Sequence, residues 1–598
     1  MIRAALLAAA TLLATPLAAQ DLRQRLPEDE VIYFLLLDRF ENGDTANDRG
    51  GLSGDRMATG FDPTHKGFFH GGDLKGLTRR LDYIQGLGAT AIWVAPIFKN
   101  KPVQGGPGQE SAGYHGYWVT DFTAVDPHFG TEADFRALVD AAHARGMKVY
   151  MDIIANHTAD VIQLRECTGR PCPYRSRADY PYTRKGGADG RPINSGFLGD
   201  NEQTAENFAR LKDPAYAYTP FVPTAERDVK KPAWLNDPIY YHNRGNTTFT
   251  GESSTMGDFV GLDDLYTEHP RVIAGMIDVY GSWIDRFGID GFRVDTAKHV
   301  NPEFWQAFVP AMRERARARG IPNFHIFGEV ARGGTDAGPF AVHTRVDKYP
   351  AVLDFAFKNA VGTTLAGTSG TDTFEALFFG DPLYEGGAAA ARQLPTFVSN
   401  HDDGRFAMHA RSAFPQASDD EILKRVELAH AMMLTLRGVP TIYSGDEQGF
   451  TGDGNDQDAR EDMFASRVAV YNDNRLLGTR ATTAQANFDT GHPLYRAFAR
   501  LAKLRTGSAA LTRGEQIIRN YSDKPGILAV SRIDPASGAE TLLLFNTATT
   551  PFAGQVEVDP RSTRFTARIG QCAARPTAPG SLAVELAPLG YAICEAAR

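Results

Sequence analysis

The feature that most constrains the fold of this 598-residue chain is a series of eight apolar runs that alternate with amphipathic helical segments. Each run is continuously apolar, as expected for parallel strands that are buried on both faces. Eight β-α units in order predict a (β/α)8 TIM barrel of the α/β class. The runs cover residues 31–37, 90–95, 148–155, 291–294, 325–328, 351–357, 395–399 and 439–444.

The helical segments carry recognisable start and stop residues. Asp73 can cap one helix and Thr131 another, and Gly88 ends the first. Residues 271–287 and 302–319 show the same amphipathic pattern. The alternative fold is an open doubly wound sheet, and it fits poorly because no glycine-rich phosphate-binding loop follows the first strand.

The pattern of apolar runs is interrupted once and ends before the C-terminus. Residues 158–266 are irregular, and a structureless loop of that length is implausible, so we expect an inserted irregular domain after strand three. Short alternating runs near the C-terminus predict an antiparallel β-sandwich. The predicted barrel therefore has two parts, residues 21–157 and 267–512, and the sandwich covers 513–598.

Charge and composition exclude several classes of function. The net charge is −9, and no block of Lys or Arg offers a surface for nucleic acid, so we expect no nucleic-acid partner. Residues 1–20 are typical of a signal peptide, with Arg3 before the apolar run 4–13 and small residues after it. A membrane anchor is the alternative, but the run is shorter than the ~20 residues that span a bilayer. We expect an exported protein, periplasmic or extracellular, without stable membrane association.

The four cysteines fit export. Local pairing, Cys167 with Cys172 and Cys572 with Cys594, is the simplest disulfide scheme, although four cysteines allow more than one connectivity. A metal site is the alternative, and it is weak because neither pair has neighbouring His or Cys residues at zinc spacing.

Three carboxylates each follow an apolar run: Asp295, Glu329 and Asp402. Acids that come just past buried barrel strands can converge on one sugar ring. Cleavage of a glycosidic bond needs such a set, because a proton donor and a nucleophile must flank the bond.

The neighbours of these acids predict different environments for them. Arg293 lies two residues before Asp295 on the same strand face, and we expect its guanidinium to keep Asp295 ionised by lowering its pKa. Glu329 follows an apolar run, so desolvation should raise its pKa. Asp152 lies inside its strand and is expected to be a structural anchor bonded to Arg293.

Four short motifs, in this order, resemble those of the α-amylase family of retaining glycoside hydrolases. The resemblance extends over roughly residues 30–510 and includes the terminal sandwich. The motifs are DIIANH at 152–157, GFRVDTAKH at 291–299, FGEV at 327–330 and SNHD at 399–402.

The resemblance implies a role for each acid. Asp295 would be the nucleophile, Glu329 the general acid and then the base, and Asp402 the residue that holds sugar hydroxyls and stabilises the distorted ring. It also implies a substrate-binding set that comprises Arg293, the hydroxyl-binding His157, His401 and His115, the aromatic platform Tyr117, and Lys298 with His299 on the leaving-group side. The aromatic residues of 158–266 either form that segment's core or stack on sugars.

Calcium (Ca2+) is the expected ion. One loop is dense in hard oxygen ligands and resembles a calcium loop of cyclodextrin glucanotransferases and related amylases, with a solvated acidic turn as the alternative. Its candidate ligands are Asn42, Asp44, Asn47, Asp48, Gly71 and Asp73. A second set resembles the family's ion between barrel and inserted domain and uses Asn156, Asp264 and the carbonyl of His299, with Asp263 as the alternative to Asp264.

The resemblance leaves more than one activity open. We favour a secreted, retaining hydrolase of α-1,4-glucosidic bonds in starch-type glucans, because transferases of the family carry bulky aromatic residues where this chain has Ala331 and Val260. The alternatives are a glucanotransferase or small-dextrin hydrolase and, from another class, a non-catalytic carbohydrate-binding relative. We expect a monomer whose partner is the glucan. The acid-rich loop 445–463 either shapes acceptor subsites or binds an ion.

Overall fold

The centre of the protein is an eight-stranded parallel sheet that curls into a nearly closed barrel. A computed structural model describes residues 22–167 and 171–597, so the predicted signal peptide at 1–20 lies outside the described residues. The predicted (β/α)8 barrel is confirmed. Its strands are β1 (Ile32–Leu35), β2 (Ala91–Val94), β3 (Lys148–Ile153), β4 (Gly291–Val294), β5 (His325–Gly328), β6 (Ala351–Val352), β7 (Pro395–Thr396) and β8 (Val439–Tyr443).

The order of strands in the sheet follows the chain, β6-β5-β4-β3-β2-β1-β8-β7. Between β6 and β7, the backbone N–H of Asp354 donates to the carbonyl of Pro395 at 2.8 Å. All neighbouring barrel strands are parallel, so their C-terminal ends meet at one face of the barrel. Asp295 and Glu329 directly follow β4 and β5 at this face.

Helices surround the barrel, and short helical turns lie in its loops. The longer helices are α1 (Leu74–Arg79), α2 (Leu81–Gly86), α3 (Glu132–Ala144), α4 (Pro270–Phe287), α5 (Pro302–Ala318), α6 (Gly338–Arg345), α7 (Phe355–Leu365), α8 (Asp372–Phe379), α9 (Phe406–Ala413), α10 (Asp419–Thr435) and α11 (Pro493–Thr506). The short turns are Arg56–Thr59, Ala205–Phe208, Ser253–Met256, Gly387–Ala391, Ala469–Asn472 and Ala509–Arg513.

Two local predictions were wrong. The helix predicted to run from Asp73 to Gly88 breaks at Arg80, whose φ of −97° and ψ of 5° end α1 before α2 begins. Residues 355–357 were predicted to extend β6 but begin α7, because the carboxylate of Asp354 accepts the N–H of Phe357 at 2.9 Å and caps a helix.

The irregular segment 158–266 has a small core of its own in its described part. This core contains the Cys167–Cys172 disulfide and the rings of Tyr182, Phe208 and Tyr216. Trp234, Tyr240 and Tyr241 pack against the barrel core instead. Most of the aromatic residues of this segment therefore serve packing, the first of the two alternatives.

The C-terminal strands form two antiparallel sheets with a shared core, which confirms the predicted β-sandwich. The larger sheet has the order β9-β10-β11-β15-β13, and β12 pairs with β14. The strands are β9 (Glu515–Asn520), β10 (Ile527–Ile533), β11 (Glu540–Asn546), β12 (Phe552–Glu557), β13 (Arg564–Ile569), β14 (Ser581–Leu586) and β15 (Tyr591–Ala597).

Two inner strands of the larger C-terminal sheet, β10 and β11, are buried on both faces. On β10, Ile527 and Ala529 enter the sandwich core, whereas Leu528 and Val530 belong to the core of the barrel. Successive side chains of a strand point to opposite faces, so one sheet supplies a wall to each core. The barrel and the sandwich are thus joined by apolar packing.

Both predicted disulfides are present, Cys167–Cys172 and Cys572–Cys594. The second joins the strand β15 to the segment after β13 and lies next to the sandwich core. Within the ranges that the structure describes, no helix has the length and apolar character needed to cross a bilayer.

The two disulfides should differ in their effect on stability, because a cross-link that closes a longer loop removes more entropy from the unfolded chain. The separations are 22 residues for Cys572–Cys594 and 5 for Cys167–Cys172. We expect double Cys→Ala variants to lose about 3 kcal/mol and about 2 kcal/mol of unfolding free energy respectively. Urea unfolding of the two variants beside the parent protein measures this, and a larger loss for Cys167–Cys172 would contradict it.

Candidate active site

One buried guanidinium organises the C-terminal face of the barrel. Arg293 is almost fully buried on β4, and its Nη1 donates to Asp152 Oδ1 and to Asp295 Oδ1, both at 2.8 Å. Its Nη2 lies 2.9 Å from Glu329 Oε1. The expected Asp152–Arg293 bond is confirmed. Three carboxylates from β3 and from the ends of β4 and β5 therefore share one positive charge.

Asp295 is held in place at the end of β4. Its backbone N–H donates to the carbonyl of Ile153 at 2.8 Å, and the residue is only 7% exposed. Burial raises the pKa of Asp295 to about 7, and Arg293, which acts in the opposite direction, only partly offsets this rise. The prediction of a lowered pKa was therefore wrong, because the loss of hydration outweighs the guanidinium.

Glu329 occupies the matching position after β5. Its Oε2 accepts the backbone N–H of Thr296 at 3.1 Å, and Thr296 has a left-handed φ of 49°. Such a conformation is uncommon for a β-branched residue and is typical of functional sites. Burial raises the pKa of Glu329 to about 7, with Arg293 again opposing, which confirms the predicted direction. Asp295 and Glu329 thus titrate as an interacting pair.

Asp402 joins the cluster through a chain of polar side chains. Tyr117 donates its hydroxyl to Asp152 Oδ2 at 3.0 Å, and that hydroxyl lies 2.9 Å from His401 Nε2. His401 Nε2 lies in turn 3.3 Å from Asp402 Oδ2. The side chain of Asp402 is 45% exposed, so this acid faces solvent while Asp295 and Glu329 are enclosed.

Arg460 holds Asp402 from the other side and was missed by sequence reasoning. Its Nη2 donates to Asp402 Oδ1 at 2.9 Å, and its Nε donates to the carbonyl of His401 at 3.0 Å. Arg460 comes from the acid-rich loop 445–463 and is the one arginine in that loop. In the structure this loop supports the carboxylate cluster.

Three histidines around the cluster are neutral at neutral pH. Burial lowers the pKa of His115 and His401 well below the usual range, and it lowers that of His157 to about 4. The rings of His115 and His401 both lie near that of Tyr117, with centroids 5.5 and 5.6 Å away and interplanar angles of 25° and 14°. A neutral imidazole can both donate and accept a hydrogen bond, as recognition of a hydroxyl requires.

The remaining predicted residues lie on another side of the cluster. Lys298 donates to the carbonyl of Ala331 at 2.6 Å, and His299 Nδ1 lies 2.8 Å from the carbonyl of Ser254. Next to His299 are Phe249 and Phe259, with centroids 5.9 and 5.3 Å from the imidazole, and the sequence analysis did not identify either ring.

The comparison with known families matches this site and its fold. A family model described as "Alpha amylase, catalytic domain" matches residues 34–514, which is most of the chain. The chain belongs to the alpha-amylase family. The resemblance carried by the four motifs is thereby confirmed.

Individual relatives agree with this family membership. The chain is 48% identical to an "Alpha-amylase" of Streptomyces lividans over 500 residues, which cover 83% of this chain and 53% of the relative. It is 29% identical to a "Cyclomaltodextrin glucanotransferase" of Geobacillus stearothermophilus over 492 residues, 81% of this chain and 55% of the relative. The chain therefore spans about half the length of the curated relatives it matches.

Solved structures also match over nearly the whole chain. The fold is similar to a crystal structure of an Anoxybacillus alpha-amylase, with a TM-score of 0.68 and 25% identity, and the match covers 96% of this chain and 99% of that one. An alpha-amylase of Geobacillus thermoleovorans complexed with acarbose gives a TM-score of 0.67 at 24% identity, which covers 96% and 100% of the two chains and shows a shared fold.

The first candidate calcium loop of this alpha-amylase relative contains unpaired buried oxygens. Asn42 Oδ1 and Asn47 Oδ1 are both buried without a hydrogen-bond partner. A Cβ at Gly71, whose φ is 102°, would come within 2.6 Å of Asp48 Oδ1, so only glycine allows this approach. Burial, with smaller contributions from Asp38, Asp73 and Asp44, raises the pKa of Asp48 to about 6.

Two carboxylates of the same loop already have partners within the protein. Asp73 accepts backbone N–H groups of Gly43, Asp44 and Gly76 at 2.7–3.0 Å. Asp44 is drawn outward to Lys75, 2.6 Å away. Within the described residues no three His, Cys, Asp or Glu side chains form a metal-binding group, so an ion here would need amide, carbonyl and water oxygens in addition to at most two carboxylates.

The second candidate set contains an additional histidine. Asp264 pairs with His157 in a short antiparallel ladder beside Asn156, but its Oδ2 lies 2.6 Å from His242 Nδ1. Burial lowers the pKa of His242, but Glu268 and Asp264 outweigh this effect and raise it to about 10. The alternative ligand Asp263 is occupied by Lys230 at 2.5 Å and by the backbone N–H groups of Val161 and Ile162.

The raised pKa of Asp295 predicts a stability that depends on pH. Between the ordinary pKa of 3.8 and about 7, the folded protein binds a proton that the unfolded chain has released, so unfolding free energy falls as pH rises. We expect Asp295→Asn to be the more stable protein at pH 7, by a few kcal/mol, with the difference shrinking toward pH 4.

Urea unfolding at intervals from pH 4 to pH 8 measures this difference. Asp403→Asn is the matched control, because Asp403 is paired with Lys358 at the protein surface. If the unfolding free energies of Asp295→Asn and the parent protein differ by the same amount at every pH in this range, the burial argument is contradicted.

Proposed function

We propose that the protein is a retaining hydrolase of α-1,4-glucosidic bonds in starch-type oligo- or polysaccharides. The observation that supports this most directly is the binding of Asp295 and Glu329 to one guanidinium, with Asp402 linked to the same group through Tyr117 and His401. Retaining cleavage needs two carboxyl groups close together on opposite sides of the bond. The names of the relatives agree with this substrate class.

In the proposed first step, a carboxylate oxygen of Asp295 bonds to the anomeric carbon as the glycosidic C–O bond breaks. Glu329 gives its proton to the departing oxygen. In the second step, Glu329 takes a proton from water, the water oxygen bonds to the anomeric carbon, and the bond to Asp295 breaks. Asp402, which is exposed and fixed by Arg460, would hold sugar hydroxyls.

The electrostatics support one proton shared by the two enclosed acids. Burial raises the pKa of both Asp295 and Glu329 to about 7, and Arg293 provides one positive charge for them and for Asp152. Near neutral pH, such a pair holds one ionised and one protonated group, as nucleophile and acid require. The hydrogen bond from the backbone N–H of Thr296 to Glu329 Oε2 would keep the Glu329 carboxyl group oriented.

The neutral histidines support a sugar ligand. His115, His157 and His401 place uncharged ring nitrogens around the cluster, and two of these nitrogens, His157 Nε2 and His401 Nδ1, are buried without a partner. Hydroxyl groups of a bound sugar would satisfy them. Tyr117 would provide the ring surface below the reacting sugar.

A glucanotransferase is the second candidate function. The exposed ring of Phe249 beside His299 favours it, because an aromatic surface on the acceptor side competes with water for the glycosyl group. Ala331 and Val260, which lack rings, favour hydrolysis. We give hydrolysis precedence because the residue two positions after Glu329 is Ala331, which has no ring and whose carbonyl accepts a hydrogen bond from Lys298.

We propose calcium as a structural ion held by Asn42, Asn47, Asp48, Asp73 and the carbonyl of Gly71. The unpaired oxygens of Asn42 and Asn47 support this. Asp44 contributes less, because Lys75 holds it. The ion would neutralise the carboxylates of the loop and link its two halves, without entering the reaction. The second set fits an ion less well, since His242 already gives Asp264 a positive partner.

We further propose that the protein is exported through the leader at residues 1–20. Disulfides persist in oxidising compartments such as the periplasm and the extracellular medium, and the structure contains two of them.

The proposed roles predict which acids are indispensable. We expect Asp295→Asn, Glu329→Gln and Asp402→Asn each to reduce kcat on soluble starch by about 10²–10⁴-fold, the effect of removing a catalytic group. Asp403→Asn is the control and should stay within about tenfold of the parent protein, because its carboxylate binds Lys358.

Release of reducing ends gives the rates, and the lengths of products from maltoheptaose distinguish the candidate reactions. Only shorter chains are expected from hydrolysis, whereas chains longer than the substrate reveal transfer. Full activity of Asp295→Asn would exclude the proposed nucleophile, and a parent protein that binds starch without cleaving it would be a non-catalytic relative.

Removal of calcium should lower the melting temperature of the parent protein, because an ion that binds only the folded state stabilises it. We expect a smaller decrease for Asp48→Asn, which removes a carboxylate from the loop. Asp140→Asn, on the exposed face of α3, is the control and should respond like the parent protein. Thermal scans with calcium and with EDTA measure this, and identical curves for the parent protein under both conditions would refute the proposal.

A further inference from the structure

A short antiparallel ladder, here called the junction, connects the irregular segment to the chain that leaves β3. In it, Asp264 pairs with His157, and Asp263 precedes Asp264. Both acids are buried, and each has a positive side chain of the protein beside it, Lys230 at Asp263 and His242 at Asp264. Lys230 is 1% exposed and His242 is 0% exposed, so these charges lie inside the protein.

His242 bonds to two carboxylates at once. Its Nδ1 lies 2.6 Å from Asp264 Oδ2, and its Nε2 lies 2.9 Å from Glu268 Oε2. An ionised carboxylate only accepts hydrogen bonds, and a neutral imidazole has one N–H to donate. Two such bonds therefore require a ring that carries a proton on both nitrogens, and this charge offsets the burial of the two acids.

This arrangement disagrees with the second calcium set. An ion on the other oxygen of Asp264 would lie close to the charged ring of His242, and two like charges in a buried place repel each other. Calcium also needs six to eight oxygen ligands. Over residues 22–167 and 171–597, no three His, Cys, Asp or Glu side chains are arranged to hold a metal, and the set at Asn156 is no exception.

A chain of hydrogen bonds leads from His242 to His157. The backbone N–H of His242 donates to the carbonyl of Asp264 at 3.1 Å, and the N–H of Leu265 donates to the carbonyl of Asn156 at 2.9 Å. Asn156 Nδ2 then donates to His157 Nδ1 at 3.3 Å. Because Nδ1 accepts, the ring proton of neutral His157 is on Nε2, the nitrogen that is buried without a partner.

We infer that His242, held between Asp264 and Glu268, takes the place of the calcium ion that the resemblance assigns to the junction, and that it positions His157. His242 is thus a positioning residue, since it acts through the ladder and touches no substrate. The importance of His157 for sugar binding rests on the proposed function. The charge of His242 and the lack of an ion at Asp264 do not rest on it.

Counting bound calcium tests whether Asp264 holds an ion. Equilibrium dialysis with elemental analysis compares the parent protein, Asp264→Asn and the control Asp278→Asn, which removes an exposed carboxylate from α4. We expect equal numbers of bound ions in all three proteins, because His242 and not calcium is the partner of Asp264. One ion fewer in a folded Asp264→Asn protein overturns the inference.

The state of the His242 ring can be observed directly by NMR of protein labelled with ¹⁵N in its histidine rings. At neutral pH, the signals that disappear in His242→Gln should belong to a ring with protons on both nitrogens. His343→Gln is the control and should keep these signals, because His343 bonds to the single carboxylate of Asp347 elsewhere on the barrel. If the signals that His242→Gln removes show one bare nitrogen, the inference is wrong.

Kinetics on maltoheptaose separate positioning from stability. We expect His242→Gln to raise KM by about 10–100-fold, the effect of removing a group that orients a ligand, with a smaller change in kcat. His157→Ala should raise KM as well, and the double variant should add little to it, because both changes remove the same interaction. His343→Gln should leave both constants unchanged.

A fall in kcat with unchanged KM would mean that His242 only stabilises the fold, and it overturns the positioning role. If the parent protein cleaves no glucan, the proposed function fails while the ion count and the ring signals still decide the inference. Glu268→Gln replaces His242→Gln if the latter folds poorly by circular dichroism, since it removes one partner and keeps the ring. It should shift the same ring signals and raise KM several-fold, and no change in either overturns the inference.

Discussion

The structure depends on one buried positive charge. Arg293 contacts three carboxylates that come from β3 and from the ends of β4 and β5. A charge taken out of water is costly unless it is paired, and here one guanidinium offsets the burial of three carboxylates that otherwise repel one another. The parallel register of these three strands places Asp152 beside Arg293, and it places Asp295 and Glu329 directly after the paired residues Val294 and Gly328. The fold and the electrostatics of the site are therefore a single arrangement.

The degree of burial separates the three acids more clearly than their sequence context does. Asp295 and Glu329 are both buried, whereas Asp402 is reached by solvent and is fixed by Arg460 and His401. The enclosed pair shares the charge of Arg293, and the exposed acid is accessible to a ligand's hydroxyls. The Tyr117 hydroxyl bonds to Asp152 and to His401, so removing it would alter the hydrogen bonding of both the enclosed and the exposed acids.

Sequence patterns were sufficient for the architecture and for the convergence of the acids. The apolar runs gave all eight barrel strands, but Phe355 was assigned to a strand because an apolar run does not reveal the cap at Asp354. The pKa of Asp295 was misjudged because spacing shows the neighbouring arginine and does not show the depth of burial. Arg460 and His242 could not be found, since their partners lie far away in the sequence.

Because β10 and β11 are buried on both faces, the chain can be rearranged only at some positions. Leu528 and Val530 pack in the barrel core while Ile527 and Ala529 pack in the sandwich core. Separating the two units would therefore expose an apolar surface to water on each fragment. Neither unit is a detachable module. Fusions and circular permutations should succeed in exposed loops and fail at this seam, and the two halves should melt in one transition.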